Sequence, residues 1–414
     1  MNKWCAFSKK QSKVLTWWCP KSPFRNYNGI VADGSVRSGK TLVMSVSFIL
    51  WATTNFNNQN FAICGKTIAS LRRNVIMQLP NWLEGICDVK EYRGKNYVEI
   101  TKGNRTNKFF LFGGKDEASA SLIQGMTLAG VLFDEVALMP RSFVEQALAR
   151  CSVEGSTYWF NCNPEGPEHW FKKEWIDKAE EKGILHLHFT MEDNNSLSPK
   201  VRKRYEEMFT GVFYDRFIRG LWCVAEGLVY QTFNNNIQNA LYRGTQNIDG
   251  QYFISIDYGT INPTSMGLWC VRRGEAIRVK EFYYSSKEHG RQKTDEEYYQ
   301  DLTDLAKGYA INKVIVDPSA ASFIACIRRH GRFRVWQADN DVLNGIRVTA
   351  TLLQSGMVKI HESCKNSIRE FGLYRWDEKS PTDTVIKEND HAMDDIRYFC
   401  YTILAREFRW IEWR

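Results

Sequence analysis

The chain has 414 residues, 43% of them hydrophobic and 25% charged, the make-up of a folded globular protein with room for two domains and a linker. A net charge of +8 excludes extreme charge of either sign, and no apolar stretch approaches the length of a membrane span. The 11 cysteines show no C-x-x-C pair and no Cys/His zinc spacing, which points to free thiols in a reducing compartment rather than to a disulfide framework.

In chain order, residues 1–27 read as a lead-in, with Gln11 and Tyr27 as candidates for the adenine side of a nucleotide pocket. Gly29-Ile30-Val31-Ala32 is a short apolar strand. It feeds into Gly34-Ser35-Val36-Arg37-Ser38-Gly39-Lys40-Thr41, a G-x-x-x-x-G-K-T phosphate-binding loop that opens a helix from Lys40 to about Leu50. Each residue type has a reason there. Glycines let backbone N–H groups close around phosphate oxygens, Lys40 reaches the β/γ oxygens, and the Thr41 hydroxyl holds Mg²⁺.

Phe61-Ala62-Ile63-Cys64 is expected as a strand, Ile68 to Leu79 as a helix, and residues 97–100 with 108–112 as a hairpin. Ala129-Gly130-Val131-Leu132-Phe133-Asp134-Glu135 is an apolar strand ending in two carboxylates. Asp134 would support the Mg²⁺ shell and Glu135 would polarise the attacking water. Thr157-Tyr158-Trp159-Phe160-Asn161 is a further buried strand, followed by Cys162-Asn163-Pro164. The alternation predicts a mostly parallel sheet covered by helices over residues 1–190, with ligands at the carboxyl ends of the strands.

Residues 191–232 change texture and read as a helical linker, with Ser198 capping a charged helix and Gly220-Leu221-Trp222 closing the next. Two basic runs, Lys200-Val201-Arg202-Lys203-Arg204 and Arg328-Arg329-His330-Gly331-Arg332-Phe333-Arg334, suit a polyanion.

Residues 233–414 form a second α/β domain. Residues 252–257 are a strand ending in Asp257; residues 265–271 and 276–282 follow as a hairpin through Arg272-Arg273-Gly274-Glu275. A helix at about 295–307 leads to Lys313-Val314-Ile315-Val316-Asp317, and a helix from about Asp390 to Arg406 closes the chain. Three antiparallel strands followed by helix, strand and helix is the order of the RNase H-like fold. In that fold Asp257 and Asp317 end neighbouring strands and the final helix can bring Asp394 against them. Clustered carboxylates repel one another unless a cation sits among them. Oxygen ligands suit two Mg²⁺ or Mn²⁺ ions about 3.5–4 Å apart, an arrangement for phosphodiester hydrolysis. The last helix offers Asp390, His391, Asp394 and Asp395, and helical spacing alone does not choose among them; His391 is a candidate additional ligand or proton-transfer partner.

A P-loop ATPase, a helical linker and an RNase H-like nuclease in this order resemble the large terminase subunit of tailed double-stranded DNA phages, from about Tyr27 to the final helix. The resemblance implies that Arg37 senses or stabilises the γ-phosphate, that Glu135 is the catalytic carboxylate, and that Asn161-Cys162-Asn163-Pro164 couples hydrolysis to movement. It also implies a metal site of Asp257, Asp317, His391 and Asp394, which selects Asp394 from its neighbours. The implied cofactors are ATP with Mg²⁺ and two divalent ions at the nuclease site. The implied partners are double-stranded DNA, a small terminase subunit and the procapsid portal, on which the chain would assemble as a ring. Its expected place is the host cytoplasm, transiently docked at the portal vertex, with no membrane. Two other readings are a helicase–nuclease of repair or recombination, for which no convincing strand-separation motif is found, and a DNA-binding assembly scaffold, against which intact Lys40, Thr41, Asp134 and Glu135 argue.

Overall fold

A computed structural model of the protein describes residues 6–405 apart from Ile261, Lys379 and Pro381. The first five residues of the lead-in and residues 406–414, with Arg406 at the expected end of the last helix, lie outside the described residues. The chain divides into two compact units. One comprises residues up to Glu206 together with Tyr214–Val224; the other comprises Glu207–Phe213 and everything from Ala225 onward. No described helix is long and apolar enough to cross a membrane.

The first unit is built on β1 (Gly29–Gly34), β2 (Asn60–Gly65), β3 (Asp88–Tyr92), β4 (Tyr97–Lys102), β5 (Arg105–Gly113), β6 (Gly130–Asp134), β7 (Thr157–Asn161) and β8 (Ile184–Phe189). Their order is β3-β4-β5-β2-β6-β7-β1-β8. All pairings are parallel except those of β4 with β3 and β5, so the expected parallel sheet carries an antiparallel edge, and residues 97–100 and 108–112 pair as the hairpin predicted. Parallel strands are covered on both faces, and β1 and β6 are accordingly buried throughout. Alternation along β1 sends Ile30 and Ala32 into one core layer and Val31 into the other. The first layer stacks Phe48, Trp51 and Trp17 around Trp159, so several of the chain's tryptophans serve the core.

The helix expected over Ile68–Leu79 is broken. Ile68–Asn74 is α-helical, Ile76–Gln78 is a 3₁₀ turn, and a new short helix spans Leu79–Trp82. Pro80 lacks an N–H and its ring would clash with the carbonyl of Ile76 in a continuous helix.

In the second unit, β9 (Leu241–Tyr242), β10 (Gln251–Asp257), β11 (Thr264–Arg272), β12 (Glu275–Tyr284), β13 (Ile311–Val316), β14 (Val335–Gln337) and β15 (Val358–His361) form a sheet in the order β14-β13-β10-β11-β12-β15-β9. β10, β11 and β12 are antiparallel neighbours, while β13 runs parallel to β10 and β14 parallel to β13, the RNase H-like arrangement. The turn between β11 and β12 has positive φ at both Arg273 (42°) and Gly274 (82°), a twist that suits a two-residue hairpin.

The last helix, His391–Phe399, lies across β10 in a register that fixes the site. His391 meets Asp257, Asp395 meets Ser255, and Phe399 packs on Phe253. Two strand residues advance about 6.6 Å and four helical residues about 6.0 Å, so the two elements stay in step over three contacts. The middle contact is an ion pair in the core: fully buried Asp395 takes two bonds from Arg278, one of them 2.9 Å long, and further bonds from Ser255 and Ser265. Gly267 makes room for it, because a Cβ there would lie 1.9 Å from Arg278 Nη1. Arg278→Met would leave the Asp395 carboxylate buried and unpaired, and should lower the stability of this unit by about 3–5 kcal/mol. Urea unfolding of the two variants checks this: Arg278→Met with Asp395→Leu should recover much of the loss.

Candidate active sites

The G-x-x-x-x-G-K-T loop leaves β1 at the carboxyl end of the sheet. Gly34 has φ +124°, and a Cβ there would sit 1.9 Å from the Phe189 carbonyl oxygen, so only glycine fits. The amides of Ser35 and Val36 donate to the carbonyls of Phe189 (2.9 Å) and Phe217 (2.8 Å). The Ser38 hydroxyl donates to Ser35 O at 2.9 Å, Gly39 is left-handed, and the helix Lys40–Asn55 begins immediately after it. Arg37 takes a left-handed φ of 56°; its Nε donates to the Tyr205 hydroxyl at 2.7 Å and its carbonyl accepts from Asn194 Nδ2 at 2.7 Å. Tyr205 lies in the charged helix Pro199–Met208, whose first turn the Ser198 hydroxyl caps as expected.

Lys40 is buried and curls back on its own loop, donating to Gly34 O (3.0 Å), Ser35 O (2.6 Å) and Asn163 Oδ1 (3.2 Å). Burial lowers its ammonium to about 8, against the pull of nearby acidic groups. Thr41 Oγ1 donates to Asp134 Oδ1 at 3.1 Å, as two groups sharing one cation would be arranged. Asn161 clamps the acidic pair: its Nδ2 donates to Asp134 Oδ1 at 2.9 Å and its Oδ1 accepts the Glu135 N–H at 3.1 Å. Glu135 turns the chain with φ 62°. Burial raises the Asp134 carboxyl, opposed by the bonds from Asn161 and Thr41. Asn161 and Asn163 thus touch the acidic pair and the loop lysine respectively. Of the two adenine-side candidates, Gln11 brings its amide against Gly39, whereas Tyr27 packs edge-on against Phe24.

One hub beside the loop went unread in the sequence. Asp33, the residue before Gly34, is buried and accepts from His186 Nε2 (2.8 Å), His188 Nδ1 (3.2 Å) and Trp222 Nε1 (2.8 Å). Burial alone would raise its carboxyl, but the two histidines hold it well below the usual carboxylate range. The expected close of a helix at Gly220-Leu221-Trp222 is instead this strap: the helix Gly211–Phe217 ends earlier, and Gly220 rests on the Ser35 amide.

In the second unit, Asp257 at the end of β10 has its Oδ2 2.9 Å from His391 Nδ1. Burial holds the Asp257 carboxyl above the usual range, with Asp394 adding to the effect. Burial would lower the His391 imidazole, but its bond and attraction to Asp257 raise it. Asp317 follows β13, beside the end of β10; its Oδ1 accepts the Ser319 N–H (2.7 Å) and its Oδ2 accepts the Tyr398 hydroxyl (2.5 Å). Asp394 is buried, bonded to Arg397 Nη2 at 3.0 Å, with Lys387 Nζ 3.4 Å away. Asp390 sits at the helix start, 3.4 Å from the same Lys387, and Asp395 is committed to Arg278. The structure brings Asp257 and His391 into direct contact and Asp394 within charge reach of Asp257, and a buried carboxylate held above its normal range is one that a hard divalent cation would relieve.

The sequence shows no Cys/His zinc spacing, and one mixed group lies apart from both candidate sites. Glu296, Cys326 and His330 bring their ligand atoms within 4.8 Å of one another. Both Glu296 oxygens are already engaged, one by Arg329 and one by His330 at 2.7 Å, and the group reads as an ion-pair network.

The large terminase of a thermophilic bacteriophage is 52% identical, superposes with a TM-score of 0.92, and is matched over 97% of this chain and 100% of that one. The chain belongs to the phage large terminases. A family model described as terminase large subunit, T4likevirus-type, N-terminal, matches residues 32–237 of this terminase. The same thermophilic phage's terminase solved in complex with ADP is similar at 51% identity and a TM-score of 0.89, over 96% of this chain and all of that one. The large terminase subunit of Escherichia phage T5 is 21% identical over 341 residues, 77% of this chain and 74% of its relative.

Proposed function

We propose that this large terminase is an ATP-driven DNA-packaging motor that also cuts DNA. It would hydrolyse ATP in the first unit, cleave concatemeric duplex with the carboxylate site of the second, and dock as a ring on a procapsid portal in the host cytoplasm. Nucleotide binding is supported by the 51%-identical terminase of the thermophilic phage, solved once with ADP and once with ATP-gamma-S. The single observation that carries the reading is the contact set of the P-loop: Lys40 to Asn163, Thr41 to Asp134, and Asn161 to the Asp134–Glu135 pair.

In the ATPase step, Lys40 exchanges the carbonyls of Gly34 and Ser35 for phosphate oxygens, and the Glu135 carboxylate orients the attacking water. Thr41 and Asp134 would hold the Mg²⁺ that accompanies ATP, and Arg37, held by Tyr205 and Asn194, is the residue proposed to answer the γ-phosphate. Losing Lys40 to phosphate frees the Asn163 amide, a direct route from nucleotide occupancy to the residues after β7. In the nuclease step, Asp257, Asp317, Asp394 and His391 would hold two Mg²⁺ or Mn²⁺ ions, which supply the Lewis acidity that phosphodiester hydrolysis needs. The basic runs at Lys200–Arg204 and Arg328–Arg334 would contact phosphates without reading sequence, leaving site choice to a small terminase subunit.

Linear duplex DNA should stimulate ATP turnover by the purified chain. No turnover with or without DNA would favour an assembly scaffold instead. Asn163→Ala should keep ATP affinity but lose DNA packaging, measured as nuclease-protected DNA in procapsids; normal packaging would reduce the segment to a structural turn.

A further inference from the structure

We propose that Tyr398 is a positioning residue of the carboxylate site, its phenol fixing the Asp317 carboxylate for metal binding. The inference rests on the nuclease reading above. Tyr398 is 2% exposed, near the end of the helix His391–Phe399, one turn beyond Asp394 and two beyond His391. Residues at i, i+3 and i+7 share one helix face, so the element that presents His391 and Asp394 presents Tyr398 as well. A buried tyrosine needs a partner for its hydroxyl. Among the described residues the Tyr398 hydroxyl has one, Asp317 Oδ2 at 2.5 Å.

The other oxygen of Asp317 is fixed independently, by the Ser319 N–H at 2.7 Å. Asp317 follows β13, on a different element from His391 and Asp394, and no described basic side chain bonds it. Tyr398 therefore ties this carboxylate to the helix that carries two of the other three candidate ligands, His391 and Asp394. A phenol is protonated at neutral pH and a carboxylate only accepts, so the Tyr398 hydroxyl is the donor in this bond. A phenol in this position leaves a second lone pair of Oδ2 for a cation, which a lysine or arginine would oppose by charge.

Tyr398→Phe in the full chain keeps the ring and removes the bond. Mn²⁺ binding without nucleotide or DNA, followed by electron paramagnetic resonance of free Mn²⁺, should weaken about 10–100-fold, the usual effect of losing a ligand's hydrogen-bond partner. The melting midpoint should stay close to wild type, and kcat for DNA cleavage should fall with KM for DNA unchanged. If the phenol acts through Asp317, Tyr398→Phe added to Asp317→Asn should bind Mn²⁺ no worse than Asp317→Asn alone. Wild-type Mn²⁺ affinity in Tyr398→Phe, or full additivity in the double variant, would overturn the proposal and leave Tyr398 a core residue. Any variant with a lower midpoint is measured at a temperature where both proteins are folded. Asp257→Asn and Asp317→Asn separate the two claims: if neither lowers Mn²⁺ binding, the nuclease reading itself fails.

Discussion

Asp257→Asn is expected to abolish DNA cleavage by the full chain, by more than roughly a hundredfold, since Asp257 is proposed as a direct ligand and such a loss exceeds that of an outer partner. The amide keeps the volume but surrenders the charge that balances a divalent cation. It should also release His391, whose imidazole is raised by that same carboxylate 2.9 Å away. Asp317→Asn and Asp394→Asn should behave alike, because each oxygen-bearing group comes from a separate part of the site. His391→Ala should be milder or should change metal preference. All four variants should retain ATP turnover, because Lys40, Thr41, Asp134 and Glu135 lie in the first unit and the substituted residues in the second. Cleavage of linear and supercoiled plasmid with Mn²⁺, with and without chelator, makes the measurement. Full cleavage by the Asp257→Asn protein would remove that residue from the site.

Glu135→Gln should bind ATP nearly as well as wild type yet hydrolyse it about 10²–10⁴-fold more slowly, the range for losing a general base. The substitution preserves the left-handed turn and the Glu135 N–H bond to Asn161, so the loop should keep its shape. Lys40→Ala should fail earlier, at binding, because the ammonium that offsets triphosphate charge is gone. Single-turnover hydrolysis beside equilibrium nucleotide binding distinguishes the two. Wild-type turnover in Glu135→Gln would exclude Glu135 as the water-orienting group. DNA cleavage by either variant should persist.

Much of this architecture is legible in the sequence where its requirements are local. A phosphate loop needs consecutive residues between a strand and a helix, and residues 34–41 supply them in one reading. Strand-end carboxylates such as Asp134, Asp257 and Asp317 announce themselves through the apolar runs they close. What escapes is the long-range partner. Asp33 stands next to the loop, but the histidines that hold it are 153 and 155 residues away, and Trp222 is 189 away. The alternation of His186 and His188 on β8 was the available signal, since period-two spacing sends both to one face. On the last helix, spacing left four polar residues open. The structure commits Asp395 to Arg278 through a contact across the sheet that no helical periodicity encodes. Tyr398 was equally invisible: its i+4 relation to Asp394 matters only once Asp317 is known to lie opposite.

The central claim, that one chain couples ATP hydrolysis to DNA movement, is tested most directly by packaging. Purified protein is mixed with portal-bearing procapsids of the same phage, linear duplex DNA and ATP, and the DNA that survives added nuclease is quantified. Protection should require ATP, vanish with Glu135→Gln, and persist with Asp257→Asn when the DNA is supplied already cut. ATP-independent protection, or none from an actively hydrolysing wild-type protein, would contradict the account.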